Sequence, residues 1–399
     1  MTYDLIILGA GAAGTAAAQL SVKKGLRTAL LDPNPVGGVC LHTGCIPAKV
    51  CLQSYDPDPA SLDARRKSVI ETLEAGLRMR LTGVEIFREK GTLCGKTDVF
   101  AVRCGERTLY ARGVLLASGS VPRSGGLSPE DIFTASELPD DAVILGGGAA
   151  GLETASYLRR AGRNVTVLEA GDRLLPQAEP EVSASLLRSL KRKGISVRFG
   201  VSVPPETGTV VYATGRKMVT QGLGLETVGL SEVRTNARME TPVRGLYAAG
   251  DVTGENCTAH AAIREAECAV RNFCGETDTV DYSCIPHVLF TDPQTAWVGR
   301  TEETARADGF VVKTAVVALK SVGGYLAAGA DGTGVCKLVA DADGTILGVH
   351  GCGGAAAEWI AAGVVLVQER INARDAAKMC FAHPTVSEAL REAARMLTD

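Results

Sequence analysis

Two cysteines with four residues between them, Cys40 and Cys45, lie in the run Gly37-Gly-Val-Cys-Leu-His-Thr-Gly-Cys-Ile-Pro-Ala-Lys49. Such a pair can close a disulfide with little loop cost. A helix opening there would favour the thiolate of the nearby cysteine, and the thiolate is the species that attacks and leaves in disulfide exchange. Taken alone, the spacing also describes two unrelated buried thiols. Exchange between a dithiol and a disulfide moves protons as well as electrons, so it needs a base that titrates near neutrality. His383, in Ala382-His-Pro-Thr-Val-Ser-Glu388, is the candidate. Pro384 holds the residue before it extended, so the ring can project. Glu388, about one helical turn onward, could accept a hydrogen bond from the imidazole and fix its tautomer. A plain surface histidine at a helix start is the competing reading.

Stepping outward to the elements that would hold these groups, one unit is written twice. The first copy runs from the strand-like Asp4–Leu8 through Gly9-x-Gly11-x-x-Gly14 and a helical run to Lys24, then to Arg27–Leu31 and Asp32. The second runs from Ala142–Leu145 through Gly146-x-Gly148-x-x-Gly151 and a helical run to Ala161, then to Asn164–Leu168 and Glu169. Strand, glycine turn, helix, strand and acid make a dinucleotide-binding unit. The turn lets a pyrophosphate reach the backbone and the helix N-terminus, and the acid faces a ribose. A carboxylate at Glu169 favours the free 2′-hydroxyl of NAD over the 2′-phosphate of NADP. Ser61–Leu81 has helical spacing, and Val99–Cys104 and Gly113–Ala117 read as strands. Asp56–Pro59 and the Pro204-Pro205 pair read as loops. After Tyr282, strands at Val311–Leu319, Gly334–Val339 and Thr345–His350 precede helices at Ala355–Glu369 and Thr385–Met396, which is an α+β pattern.

Composition bounds the rest. The length of 399 residues suits about two to four domains. The 46% apolar fraction supports a real core, and a net charge of -3 argues against a nucleic-acid or anionic-membrane surface. The longest apolar stretch, Ala355–Val367, contains Glu358 and is too short to span a bilayer. The chain enters a strand at once, without a charged leader, so a cytoplasmic setting is expected, where any disulfide is catalytic or regulatory. His42, His260, His287 and His350 read as structural or surface residues, and no metal is expected. Cys51, Cys94, Cys104, Cys257, Cys268, Cys274, Cys284, Cys336 and Cys352 read as dispersed buried thiols, and Cys380 as a core thiol.

Together these segments resemble the two-cysteine flavoprotein disulfide reductases, the pyridine nucleotide-disulfide oxidoreductases, and among them the dihydrolipoamide dehydrogenases. Leu115–Pro122, Ala213-Thr-Gly-Arg216, Gly245–Val252, Ala259–Ala262, Phe290–Pro293, Val298–Glu302 and Ala382–Glu388 carry the likeness over nearly the whole chain. It implies FAD on the first unit and NAD on the second. Gly250 and Asp251 would hold the ribityl and phosphate region, and Gly38, Ser118 and Gly119 would add cofactor contacts. Cys45 would face the flavin and Cys40 would exchange with substrate, while Lys49 and Glu153 would pair beside the flavin. His383 and Glu388 would reach the disulfide of the other subunit, so the site would be complete only in a homodimer, with the Ala355–Val367 helix and the C-terminal domain forming its interface. The substrate implied is a lipoyl-bearing protein or a small disulfide.

The expected architecture is α/β, with two Rossmann-like βαβ dinucleotide-binding domains and a C-terminal α+β dimerisation domain. Residues 1–138 and 239–281 would form the FAD-binding domain, 139–238 a shortened NAD-binding domain, and 282–399 the dimerisation domain. Only Ile195–Val210 lies between the second glycine unit and Ala213, where relatives carry a longer β-meander. Ala149 replaces a larger residue at the nicotinamide pocket, and Lys217-Met218 replaces a Pro-Asn step. A reductase of another disulfide and a non-catalytic FAD-binding assembly subunit are the competing functions. A mercuric reductase needs a C-terminal cysteine pair, which Arg395–Asp399 does not supply.

Overall fold

The computed structural model describes residues 2–54, 59–204, 208–330 and 332–398. Asp56-Pro57-Asp58 and Pro205, read above as loops, lie outside them. The chain divides into two compact units, 1–125 with 215–282 and 126–214 with 283–399.

The first unit is built on a seven-stranded sheet. Glu85–Phe87, Thr28–Leu31, Thr2–Leu8 and Arg107–Leu116 run parallel. Phe100–Cys104 and Gly91–Lys96 continue it antiparallel, and Leu246–Ala248 pairs with the end of Arg107–Leu116. Helices Ala12–Lys23 and Ala259–Phe273 cover one face, where Leu5, Ile7, Leu30 and Leu115 meet Ala13, Ala17, Ala262 and Ala266. Small residues on both helices let them approach the sheet and each other closely. The other face is covered by the antiparallel strands and by residues 223–252, and Ile6, Leu8, Ala29 and Leu31 are buried there with Phe100, Val102, Leu223 and Leu246.

The stretch 215–238, assigned to the second nucleotide domain from sequence, lies in the first unit. Its strand Arg216–Met218 pairs with Ser120–Pro122, and Leu93 N–H donates to Leu223 O at 2.8 Å. These pairings join segments about a hundred residues apart, so no local pattern announces them.

The second unit holds two sheets. Ser196–Phe199, Asn164–Glu169, Asp141–Leu145 and Thr209–Tyr212 form an all-parallel sheet of four. His287–Leu289, Thr295–Gly299, Ile346–Cys352, Val335–Ala340 and Lys313–Ala318 form an antiparallel sheet of five. Helices Ala356–Gln368 and Glu388–Thr398 lie in the core of the second sheet through Trp359, Ile360, Leu366, Leu390, Ala393 and Ala394. The apolar helix expected at an interface thus buries one face on its own sheet and turns Val365 to solvent.

The strand Val335–Ala340 of the antiparallel sheet carries a buried lysine. Lys337 Nζ, on a side chain 2% exposed, bonds Glu179 at 2.9 Å, Glu181 at 3.0 Å and Glu302 at 2.9 Å. Burial alone would depress an amine's pKa, but the three carboxylates reverse that and hold Lys337 above the usual lysine range.

Several cysteines differ from expectation. Cys94, Cys257, Cys274 and Cys380 are exposed and Cys284 half-buried. Cys94 lies on the outermost strand of its sheet, Cys257 precedes a helix, Cys274 ends that helix and Cys380 lies in a loop, so each sits where a side chain can face water. His350, by contrast, is fully buried and its Nε2 bonds Arg300 O at 2.9 Å.

Candidate active site

The two glycine turns are built alike. Gly9 and Gly146 take φ of +113° and +114°. A Cβ there would lie 2.2 Å from Ala117 O and 2.5 Å from Ala213 O, so only glycine lets each strand end pass its neighbour. A Cβ at Gly14 or Gly151 would strike the carbonyl of Gly9 at 1.8 Å or of Gly146 at 2.1 Å. Helix and turn therefore pack backbone to backbone. Gly11 and Gly148 each start a helix without a side-chain cap, and each has open space where a Cβ would be. Helix N–H groups at an uncapped, open N-terminus fit a pyrophosphate, so the residues present suit a dinucleotide at both turns.

Asp32 and Glu169 also act as struts. Asp32 accepts the Ala10 N–H at 2.7 Å and the Asn34 N–H at 2.8 Å. Glu169 accepts the Gly147 N–H and the Gly171 N–H, both at 2.7 Å. Each carboxylate fixes the turn and keeps further lone pairs for a ribose.

The cysteine segment lies directly against the first turn. Gly37 N–H donates to Ala10 O at 2.8 Å, and a Cβ at Gly38 would stand 2.7 Å from Gly11 Cα. Cys40 lies on the short helix Gly38–His42, and Cys45 opens the helix Cys45–Gln53. His42 is tied down by its Nε2, 2.9 Å from Val36 O. Both are free thiols, and Cys45 is hydrogen-bonded to Cys40. That bond, then burial and the charge of Cys45, hold the Cys40 thiol far above the ordinary cysteine value, while Lys49 pulls the other way.

Asp251 follows Gly250 at the end of the Leu246–Ala248 strand. Its carboxylate accepts from Ser120 Oγ and stands 3.7 Å from Arg216 Nε. Arg216 in turn donates from Nε to Ser120 Oγ at 2.6 Å and from Nη2 to Ser120 O at 2.9 Å. Ser118 Oγ donates to Val219 O at 2.6 Å, and Gly119 O accepts from Val219 N–H at 2.9 Å.

In the second unit, Glu153 is buried on the helix Ala149–Arg160 and accepts the Phe290 N–H at 2.8 Å. His383 Nδ1 lies 3.1 Å from Glu388 Oε1, and the imidazole side chain is 78% exposed. The Thr385 N–H, then the His383 ring, hold Glu388 below its usual value. A carboxylate facing Nδ1 assigns the ring proton to that nitrogen and leaves Nε2 as the free base. The helix starts at Glu388 rather than at Thr385, because Thr385 is held in the turn that caps it.

Residues 3–266 match the family model for pyridine nucleotide-disulphide oxidoreductases, and residues 285–394 match the model of that family's dimerisation domain. The chain belongs to this family. It is 31% identical to a dihydrolipoyl dehydrogenase of Thermus scotoductus, covering 99% of this chain and 97% of that protein, and 32% identical to one of Synechocystis, covering 98% of each. The first alignment spans 454 positions against 399 residues here, so the relative carries segments this chain lacks. The fold is that of LpdA from Mycobacterium tuberculosis (TM-score 0.91, 23% identity, all of both chains) and of the Cu(II) complex of the flavoprotein disulfide reductase RclA from Escherichia coli (TM-score 0.87, 22% identity, all of both chains). The chain is thus a flavoprotein disulfide oxidoreductase, and the family's cofactors are FAD and NAD. Among the described residues no helix is long and apolar enough to cross a membrane, and no group of three or more His, Cys, Asp or Glu could hold a metal ion.

Glu265 escaped the sequence reading. It lies on the helix Ala259–Phe273 in the stripe Ala261, Ala262, Glu265, Ala266, Cys268, Ala269, all of them buried. An acid at a core position of an otherwise small-residue stripe is the signal that could have found it.

Proposed function

We propose that this chain oxidises a protein-bound dihydrolipoyl group with NAD⁺, working as a homodimer in the cytoplasm, with Cys40 and Cys45 as its redox pair. The observation that carries the reading is the bonded thiol pair set directly against an open dinucleotide turn. The relatives' names and the match to the dimerisation domain support the substrate and the assembly.

In the oxidised enzyme Cys40 and Cys45 share a disulfide. A substrate thiolate attacks Cys40 Sγ, the Cys40–Cys45 bond breaks, and Cys45 leaves as thiolate. The second substrate thiol gives its proton to Nε2 of His383, the base with Nδ1 fixed by Glu388. It then attacks the mixed disulfide, releasing the lipoyl disulfide, and Cys40 takes up a proton, the state its raised pKa favours. FAD, when bound, would supply the two-electron chemistry that links the dithiol to NAD⁺. Gly9, Gly11, Gly14, Asp32, Gly38, Ser118, Gly119, Gly250 and Asp251 would hold FAD, and Gly146, Gly148, Gly151 and Glu169 would hold NAD. Lys49 and Glu153 would bring opposite charges to the flavin. His383 would serve the partner subunit's disulfide.

The test is dihydrolipoamide-dependent reduction of NAD⁺ by FAD-loaded protein. Cys40→Ser and Cys45→Ser should each fall to background, and His383→Ala should fall by about a hundredfold or more. Full activity in either serine variant sinks the proposal. FAD binding without turnover on lipoamide points to another disulfide if a second disulfide is reduced, and to a binding subunit if none is.

A further inference from the structure

The Gly250–Asp251 turn is held from a side the reaction does not use. Ala249 N–H closes the strand on Leu116 O at 3.0 Å, but the next N–H leaves the sheet: Gly250 donates to Glu265 Oε2 at 2.6 Å. Gly250 has φ +81° and ψ -162°. A Cβ on it would meet Ala13 Cβ at 3.2 Å and Ala262 Cβ at 3.3 Å. The turn is therefore wedged between the helix that starts at the first glycine turn and the helix that carries Glu265. Glu265 is fully buried, and its second oxygen accepts from Tyr282 Oη at 2.9 Å. Burying a carboxyl among Ala262, Ala266 and Ala269 is costly, and an apolar side chain would fill the space without that cost. What the acid supplies is the acceptor for the Gly250 N–H.

We propose that Glu265 is a positioning residue for the flavin, holding the Gly250 N–H so that Asp251 meets the cofactor in one fixed place. Ser120 and Arg216 set the Asp251 carboxylate from one side, and Glu265 sets its backbone from the other. The inference rests on the reading of Asp251 as a flavin-holding residue. Loss of the Glu265 bond frees the turn, and flavin leaves faster without any change at the cysteines.

The experiment follows flavin release from the FAD-loaded protein by the rise of flavin fluorescence after dilution, with the urea unfolding midpoint measured in parallel. Glu265→Ala should release flavin about tenfold faster, the effect of losing one charge-assisted hydrogen bond. Glu265→Gln keeps an acceptor oxygen and should stay within about threefold of wild type. Val270→Ala, a core truncation on the same helix away from the turn, should lower the midpoint and leave release unchanged. Wild-type release in Glu265→Ala, or equal acceleration in Val270→Ala at a matched midpoint shift, overturns the proposal. If Glu265→Ala does not fold, Glu265→Leu, which fills the space without an acceptor, replaces it. Faster release at an unchanged midpoint then supports the role, and unchanged release overturns it. A wild-type protein that takes up no FAD would instead defeat the reading of Asp251 and the assigned cofactor.

Discussion

Ile6 and Val143 hold the same place in the two nucleotide folds, three residues ahead of the first glycine of each turn, yet Ile6 is fully buried and Val143 is half-exposed. The same holds for Ala29 against Thr166, three residues ahead of the acid, and for Val114 against Val210, three residues ahead of the alanine that each turn passes. In the first unit, antiparallel strands and residues 223–252 lie over this face. In the second, only residues 200–208 separate the Ser196–Phe199 and Thr209–Tyr212 strands, and Ser196 and Arg198 are exposed. The opposite face is sealed in both, as Ile7, Leu30 and Leu115 match Ile144, Val167 and Val211. A dinucleotide turn thus needs only one covered sheet face. The turn is set by glycine backbone contacts at the strand ends, and the other face can be shortened and made polar without touching it.

Damaging each turn in the same way separates what the two turns hold. Gly14→Ala and Gly151→Ala both drive a methyl into a carbonyl. A misplacement of about 1 Å at a binding site can cost about a hundredfold. Gly14→Ala should be purified without flavin. Gly151→Ala should keep its flavin and raise the KM for NAD⁺ by about that factor. Flavin retained in the first variant, or lost in the second, would mean that the two turns do not serve separate cofactors.

Next in size is the fastening of the second unit. There Lys337, on the antiparallel sheet, reaches Glu179 and Glu181 at the start of the helix Pro180–Arg192 and Glu302 at the start of Glu302–Ala307. Lys337→Met leaves the buried Glu179 without its cation and takes one partner from Glu181 and from Glu302, which keeps Arg306 at 2.6 Å, and removing one partner of a buried ion pair in this way costs about 3–5 kcal/mol. Urea unfolding should show the loss. A shift under about 1 kcal/mol would mean that the cluster is solvated and holds little.

The turns were legible in the sequence because what they require is local: three glycines, a strand before, a helix after and an acid beyond. The Cys40–Cys45 segment and the His383–Glu388 pair were legible for the same reason, and each pair is bonded within itself in the structure. What covers a sheet face is not local. Whether the position of Ala29 is sealed depends on Phe100, Val102 and Leu223, far along the chain, and Thr166 offers only a hint in its hydroxyl. Glu265 stayed hidden because an acid within a helix usually reads as a solvated face. Its burial depends on the Gly250 turn, fifteen residues earlier.

Glu265 also gives the first unit a pH signature. Burial pushes its carboxyl up to about 7, against the hydrogen bonds from Gly250 and Tyr282, while in the unfolded chain it titrates near 4.5. Between those values the folded chain binds the extra proton, so stability falls as pH rises through that window. Glu265→Gln should flatten the pH dependence there by up to about 3 kcal/mol relative to wild type. Parallel urea-midpoint profiles for the two proteins would show that Glu265 is not the titrating group.

The smallest effect tests the comparison most directly, by giving each sheet the other's residue. Ala29→Thr forces extra volume and a hydroxyl into a sealed core beside Ile6, its partner across the strands. Overpacking and burial of an unbonded hydroxyl together should cost about 2–4 kcal/mol. Thr166→Ala makes the reverse exchange beside Val143, where the face is half-open, and should change stability by less than about 0.5 kcal/mol. The difference between the two urea midpoints measures how much the cover on the first sheet demands of its residues. Similar losses in both variants would show that something packs over the second face as tightly as the strands do over the first.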